Sequence, residues 1–243
     1  MDGAGSGTTP YRIPDGLRVY AFGDIHGRLD LLEQLLAAVE RDAAGHADLR
    51  LVFLGDYVDR GPDSRAVIER LAGLKAARGA ICLTGNHEAM MRAALDGSGP
   101  LERWLDNGGA AALASYGVRA EDFAGRDREA ELRRAAQAAI PAGHAAFLAA
   151  LEVSASFGGY FFCHAGVRPS VALERQTDED LIWIRRAFLN STADFGKRVV
   201  HGHTPVAQVE IRPNRIDVDT GAYKTGRLSC VALEGADVRV LQT

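Results

Sequence analysis

Five short strings rich in glycine, histidine and acidic residues punctuate the 243-residue chain. They are Gly23-Asp24-Ile25-His26-Gly27, Gly55-Asp56-Tyr57-Val58-Asp59-Arg60-Gly61, Gly85-Asn86-His87-Glu88, Cys163-His164-Ala165-Gly166 and His201-Gly202-His203-Thr204. Together they supply carboxylates, an amide, several imidazoles and an arginine. Oxygen and imidazole ligands without thiolate suit manganese, iron or zinc. Two such ions side by side activate water for cleavage of phosphate esters. Each residue alone has a plainer use: Asp24 or Asn86 can cap a helix, and His164 can be a satisfied buried histidine. All five strings in this order favour the metal.

That chemistry requires the strings to meet, and the elements around them say how. Residues 17–22, 51–54 and 80–83 read as buried strands. Helical spacing follows the first two, with Ser64 as a cap and Gly79 as a stop for the second helix, and Asn86 opens a third. Strand–helix alternation implies a largely parallel sheet covered by helices. Ligands bind beyond the carboxyl ends of such strands. If the strands are neighbours, Asp24, His26, Asp56, Asn86, His164 and His203 converge at one edge. The flanking glycines let the backbone turn there with φ above zero.

Strands return after residue 151, at 152–157, 160–163, 198–201, 206–211, 228–233 and 238–241, with a helix over 178–188. Their short spacing predicts hairpins and a more antiparallel second sheet. Between the halves, residues from about 92 to 150 are rich in Ala, Arg and Glu and lack a strand pattern. Asn107-Gly108-Gly109 and Pro141 break them. This segment reads as a helical insertion, either a cap on the sheet or plain filler.

Lys and Arg total 28 against 32 for Asp and Glu, a net charge of −4. The surface as a whole therefore has no attraction for nucleic acid or anionic membrane, and bound phosphate needs a local positive cluster. No apolar run is long enough for a membrane span. Residues 1–16 read as a flexible tail without the marks of a secretory signal, and 17–243 as one domain. Cys82, Cys163 and Cys230 sit in apolar runs, as buried small residues suited to a reducing cytoplasm. Strand alternation turns Cys163 away from the ligand side, against a covalent mechanism. His46 and His144 lack ligand-like neighbours. Tyr223 either lines the site or packs at the surface.

The strings resemble those of the phosphoprotein phosphatase branch of the calcineurin-like metallophosphoesterases, most of all its small bacterial and bacteriophage serine/threonine phosphatases, over roughly residues 17 to 240. The resemblance implies a four-layer α/β/β/α sandwich and two divalent metal ions, manganese for preference, with iron or zinc admissible. Asp24, His26 and Asp56 would hold the first ion. Asp56 would bridge to a second held also by Asn86, His164 and His203. His87 would be the general acid that protonates the leaving alkoxide, with Asp59 as its orienter. Arg60 would bind phosphate oxygens. Arg185, in Leu181-Ile182-Trp183-Ile184-Arg185, matches the family's second phosphate-binding arginine; it also reads as an exposed helix arginine. Hydrolysis would be direct, by metal-activated water, on a phosphorylated protein or peptide. The wider superfamily often ends with G-H-x-H, but Gly202-His203-Thr204-Pro205, like this branch, lacks the second histidine, which leaves His201 a neighbour of the site. Symmetrical dinucleoside-tetraphosphate hydrolases resemble the same strings but lack an aspartate at the position of Asp59 and carry Asp in place of Glu88. Hydrolysis of dinucleoside polyphosphates or other small phosphates is therefore the alternative.

Overall fold

The computed structural model describes residues 11–46 and 48–243. Its strands, in chain order, are β1 (Leu17–Phe22), β2 (Asp48–Phe53), β3 (Ile81–Cys82), β4 (Ser154–Phe157), β5 (Tyr160–Cys163), β6 (Arg198–His201), β7 (Glu210–Ile211), β8 (Arg215–Asp217), β9 (Ser229–Glu234) and β10 (Asp237–Gln242). They form two five-stranded sheets, ordered β10-β9-β1-β2-β3 and β4-β5-β6-β8-β7.

The period-two alternation of β1 divides its apolar residues between two cores. Val19 and Ala21, with Val52 and Leu54, meet Tyr160, Phe162, Val200 and Ile216 of the second sheet in a layer between the sheets. Tyr20, Phe22, Leu51 and Phe53 face the other way, onto α1 (Leu29–Asp42) and α2 (Ser64–Arg78). The apolar stripe of α1 is Leu31, Leu32, Leu35, Leu36 and Val39, at the spacing of one helix face. On the far side of the second sheet, Phe161, Cys163 and Val199 pack against Leu181, Ile182 and Phe188. The result is the four-layer α/β/β/α sandwich.

The insertion is helical. After α3 (Asn86–Asp96) come α4 (Leu101–Trp104), a kink at Leu105–Gly109, α5 (Ala110–Ser115), α6 (Arg128–Ala139) and α7 (Ala142–Ala149). Leu101, Trp104, Leu113, Leu132 and Phe147 join the core outside the first sheet.

Several expectations are corrected. The second sheet is antiparallel only at its edges: β4 pairs with β5 and β7 with β8 in that sense, while β5, β6 and β8 run parallel. The β5–β6 crossover carries the helices that cover the sheet. β8 has no counterpart among the expected strands, and the strand expected over 206–211 shrinks to Glu210–Ile211. The last two strands leave that sheet and extend the first, β9 antiparallel to β1 and β10 antiparallel to β9. The helix expected over 178–188 is two helices, α8 (Asp178–Trp183) and α9 (Arg186–Leu189), parted at Ile184 and Arg185. Leu181 through Ile184 are four apolar residues in a row, more than one helix face can bury, and the break lets Ile184 turn inward as well. Ser64 does not cap α2: Asp63 precedes it, and the Ser64 hydroxyl accepts the Asp59 N–H at 3.0 Å. Gly79 does end α2, in the left-handed conformation.

Tyr11 to Gly16 are no tail. Ile13 is 1% exposed and packs between the sheets, and its N–H donates to the Gly235 carbonyl at 2.8 Å. The rest of the expected tail, residues 1–10, lies outside the described residues. No helix among the described residues is long and apolar enough to cross a membrane.

In this arrangement β1, β2 and β3 of one sheet and β5, β6 and β8 of the other present their carboxyl ends together. We expect Ile13→Ala to cost about 2–5 kcal/mol, the range for emptying a fully buried aliphatic position. Urea unfolding checks this, and an unchanged midpoint would show that residues 11–16 do not belong to the core.

Candidate metal centre

Six non-glycine residues among those described have left-handed φ angles, and five belong to the strings: His26 (46°), Asp56 (52°), Asp59 (73°), Arg60 (69°) and His203 (70°). Such backbone costs on the order of 1–3 kcal/mol per residue and persists where the surroundings impose it. The functional residues themselves thus make several of the turns the glycines were expected to make. Gly85 and Gly202 instead give room: a Cβ on Gly85 would lie 2.2 Å from Asp56 Oδ1, and one on Gly202 2.2 Å from Asp24 Oδ1. Glu88 holds the turns. Its buried carboxylate accepts the N–H groups of Asp56 (2.9 Å), Tyr57 (2.7 Å) and Gly85 (2.8 Å), tying the second string to the third.

Asp56 lies between two imidazoles. His26 Nδ1 is 2.8 Å from the Val58 carbonyl and His164 Nδ1 is 2.9 Å from the Leu54 carbonyl. A carbonyl only accepts, so each Nδ1 carries the proton and each neutral ring presents a lone pair at Nε2. Burial pushes the His26 pKa well down and that of His164 to about 4, so both rings are neutral near pH 7. The lone pairs face the carboxylate of Asp56: His26 Nε2 is 3.5 Å from Oδ2, and His164 Nε2 is 3.4 Å from Oδ1. Arg60 and the His87 backbone N–H answer part of this acceptor set, and cations between the groups would answer the rest.

The remaining ligand candidates fit the same demand. Asn86 Oδ1 is 3.0 Å from His164 Nε2, His203 Nδ1 is 3.1 Å from it, and His203 Nε2 is buried without a hydrogen-bond partner. Asp56, His164 and His203 could hold one ion. On the other side of Asp56, His26 and His87 converge with it. Asp24 reaches the centre through the His203 N–H, 3.1 Å from its Oδ2. Burial raises the Asp24 pKa, and the negative charges of Asp219 and Asp56 raise it further. The oxygen and imidazole donors, the crowded carboxylates and the opposed lone pairs all fit divalent metal.

His87 is engaged at both nitrogens. Nδ1 is 2.6 Å from Asp59 Oδ2, and Arg60 Nη2 donates to Nε2 at 3.0 Å. Burial lowers the His87 pKa and raises that of Asp59. Arg60 Nη1 also donates to His26 Nε2 at 2.6 Å. Arg185 is exposed at the break between α8 and α9, close enough for its charge to lower the pKa values of His87, His164 and His203. The break that the sequence pattern hid falls at Arg185 itself.

All ten sequence-predicted residues thus gather around one centre. Tyr223 lines it, with its ring 4.7 Å from the Arg60 guanidinium and edge-on to His26. His201 stands aside: its Nδ1–H donates to the Gly202 carbonyl, and burial lowers its pKa to about 3. His144 bonds Tyr116 and Glu69, and His46 bonds Glu234. Two neighbours escaped sequence reading. Asp219, buried beside Asp24, follows β8, the strand that was not foreseen. Trp104 donates its indole N–H to both Asp59 oxygens, at 3.0 and 3.1 Å. The Asn107-Gly108-Gly109 string beside it was the one available signal.

A model of the calcineurin-like phosphoesterase family matches residues 17–234. Serine/threonine-protein phosphatase 1 of Salmonella typhimurium is 29% identical over 225 residues, 89% of this chain and 92% of that protein. The symmetrical bis(5'-nucleosyl)-tetraphosphatase of Nitrosococcus oceani is 40% identical over 85 residues, 35% of this chain and 29% of that protein. The relatives matched at 37–44% identity are covered over only 15–30% of their length. A crystal structure described as a candidate diadenosine tetraphosphatase superposes with a TM-score of 0.64, covering 93% of both chains at 23% identity, which is a likeness of fold.

Added manganese should raise the melting temperature of chelator-treated protein, by the equivalent of about 2.7 kcal/mol at a hundredfold excess over Kd. Asp56→Asn should remove most of that gain, and metal analysis should find fewer than two ions per chain. An undiminished manganese response in Asp56→Asn would exclude the bridging role.

Proposed function

The chain belongs to the calcineurin-like phosphoesterase family, and from that premise we propose that it is a metal-dependent phosphomonoesterase acting on phosphoserine and phosphothreonine in proteins or peptides. The observation that carries this reading is the buried His87–Asp59 pair at 2.6 Å, an acid with its orienter at the edge of the metal centre. Asp24, His26 and Asp56 hold one divalent ion in this reading, and Asp56, Asn86, His164 and His203 the other, manganese being our preference. When bound, the ions supply Lewis-acid stabilisation of phosphoryl charge and lower the pKa of attacking water.

The protein groups do the rest. Arg60 offers a planar fork of N–H donors to phosphate oxygens, and Tyr223 against its guanidinium limits its motion. Arg185 adds charge from the opposite sheet. Geometry alone also groups His87 with His26 and Asp56 as ligands. With Nδ1 committed to Asp59, however, its Nε2 can carry a proton to the leaving alkoxide, while Asp59 steadies the ring and the imidazolium form. Cys163 is no nucleophile, because burial holds its thiol far above the range in which it ionises. Three free buried cysteines suit a reducing cytoplasm, our proposed location. The net charge of −4 supports a reading with neither nucleic acid nor membrane as partner. We take residues 17–243, with 11–16 packed into the same core, as one domain whose insertion, about 92–150, caps the centre.

The second reading is hydrolysis of dinucleoside polyphosphates, favoured by the relatives of that name. Asp59 argues for the first. Glu88 is primarily a brace for the second and third strings, so it speaks less to substrate than its position in the sequence implied.

We expect kcat/KM to be at least about tenfold higher on a phosphothreonine peptide than on diadenosine tetraphosphate, and the reverse order would establish the second reading. Asp24→Asn and His87→Asn should lower kcat on the peptide by about 10²–10⁴-fold, the usual weight of such groups. Cys163→Ser should leave it within about twofold, since that thiol takes no part.

A further inference from the structure

We infer that the helical insertion reaches into the chemistry through Trp104, which is a positioning residue for the general acid. Its indole N–H donates to both oxygens of Asp59, and Asp59 in turn is bonded to His87 Nδ1. Trp104, Asp59 and His87 are each at most 1% exposed, so water does not take the place of any of these bonds. Asp59 Oδ2 is shared between the indole and the imidazole. The indole therefore fixes the plane of the carboxylate, and the carboxylate fixes the plane of the ring that must aim Nε2 at the leaving oxygen.

The segment after Trp104 is shaped for this task. Leu105–Gly109 is a kink that breaks the helical path between α4 and α5. Gly108 sits within it at φ 108°, and its carbonyl accepts the Arg60 N–H at 3.1 Å. A Cβ on Gly108 would come within 2.8 Å of Arg60, and one on Gly109 within 2.6 Å of the Trp104 ring. Asn107 closes the turn by donating to the Arg103 carbonyl at 2.7 Å. One stretch, Trp104 to Gly109, thus sets both the orienter of the acid and the backbone of the phosphate-binding arginine. A plain helical filler would have no reason to place two glycines and an indole N–H aimed at Asp59 there.

This inference rests on the reading of His87 as general acid, and the test separates the two. A general acid matters most for esters whose leaving group must be protonated, and little for those that leave unaided. Metal-loaded wild type, His87→Asn and Trp104→Phe are compared on phenyl phosphate and 2,4-dinitrophenyl phosphate. Phe keeps most of the ring's volume and loses the N–H. We expect Trp104→Phe to lower kcat on phenyl phosphate by about tenfold, a share of the general-acid factor, with dinitrophenyl turnover within about twofold and KM little changed. The ratio of the two kcat values is independent of the fraction of enzyme that is folded and metal-loaded, so partial misfolding does not obscure it. Equal loss on both esters in Trp104→Phe, or no loss, with selective loss in His87→Asn, overturns the positioning role and leaves the acid in place. Absence of selectivity in His87→Asn overturns both.

Discussion

The carboxylate of Asp56 faces two imidazole lone pairs, one on each side, and that opposition governs the centre. A buried acceptor normally finds a donor. Here both rings have spent their only proton on backbone carbonyls, of Val58 and of Leu54. The fold has fixed each tautomer through the nitrogen that points away from the centre, which leaves the inner nitrogens no choice but to accept. In the bare protein Arg60 Nη1 donates to His26 Nε2 and the His87 backbone N–H to Asp56 Oδ1, and cations would satisfy the lone pairs that remain. The interior has been organised for ions that the chain must bind, in the way that outer hydrogen bonds orient metal ligands generally.

Holding that arrangement has a conformational cost, visible in the left-handed backbone at His26, Asp56, Asp59, Arg60 and His203. The restraint comes from groups with no claim to chemistry. Glu88 gathers four N–H groups from two loops, Ser64 takes the N–H of Asp59, and the Gly85 and Gly202 backbones pack where a methyl group would displace a carboxylate. These contacts explain why the strings are strings. A ligand, its turn and the glycine that admits the neighbouring loop have to be adjacent in sequence, because each turn is only a few residues long.

Local grouping is also why so much could be read in advance. Nine of the ten site residues were legible because they follow closely on strands whose apolar runs stand out, while Arg185, at the break between α8 and α9, and the four layers came from the family resemblance. What stayed hidden depended on pairing at a distance. The parallel order of β5, β6 and β8 leaves no mark on short strands, since hairpin spacing and crossover spacing differ only in what lies between. Asp219 was missed with β8 for that reason. The break at Ile184 and Arg185 carries no Gly or Pro, and only the competition of four adjacent apolar side chains for one core produces it. Trp104 was unreadable for the opposite reason: a tryptophan in an alanine-rich helical stretch looks like packing, and it is packing on every side but its N–H.

The division of the site between two sheets has a further consequence. Asp24, His26, Asp56 and Asn86 hang from the ends of β1, β2 and β3, whereas His164 and His203 hang from β5 and β6. The two groups join across the mouth of the inter-sheet core, where Asp24 accepts the His203 N–H and Asp56 faces His164. Ions bound between them would therefore link the sheets as well as the ligands, adding their binding free energy to the packing of Val19, Val52, Phe162 and Val200 beneath. The same geometry explains why the carboxylates can stand so close together. The apolar layer holds the sheets in register whether or not the charges are neutralised, so the centre need not be self-supporting before metal arrives.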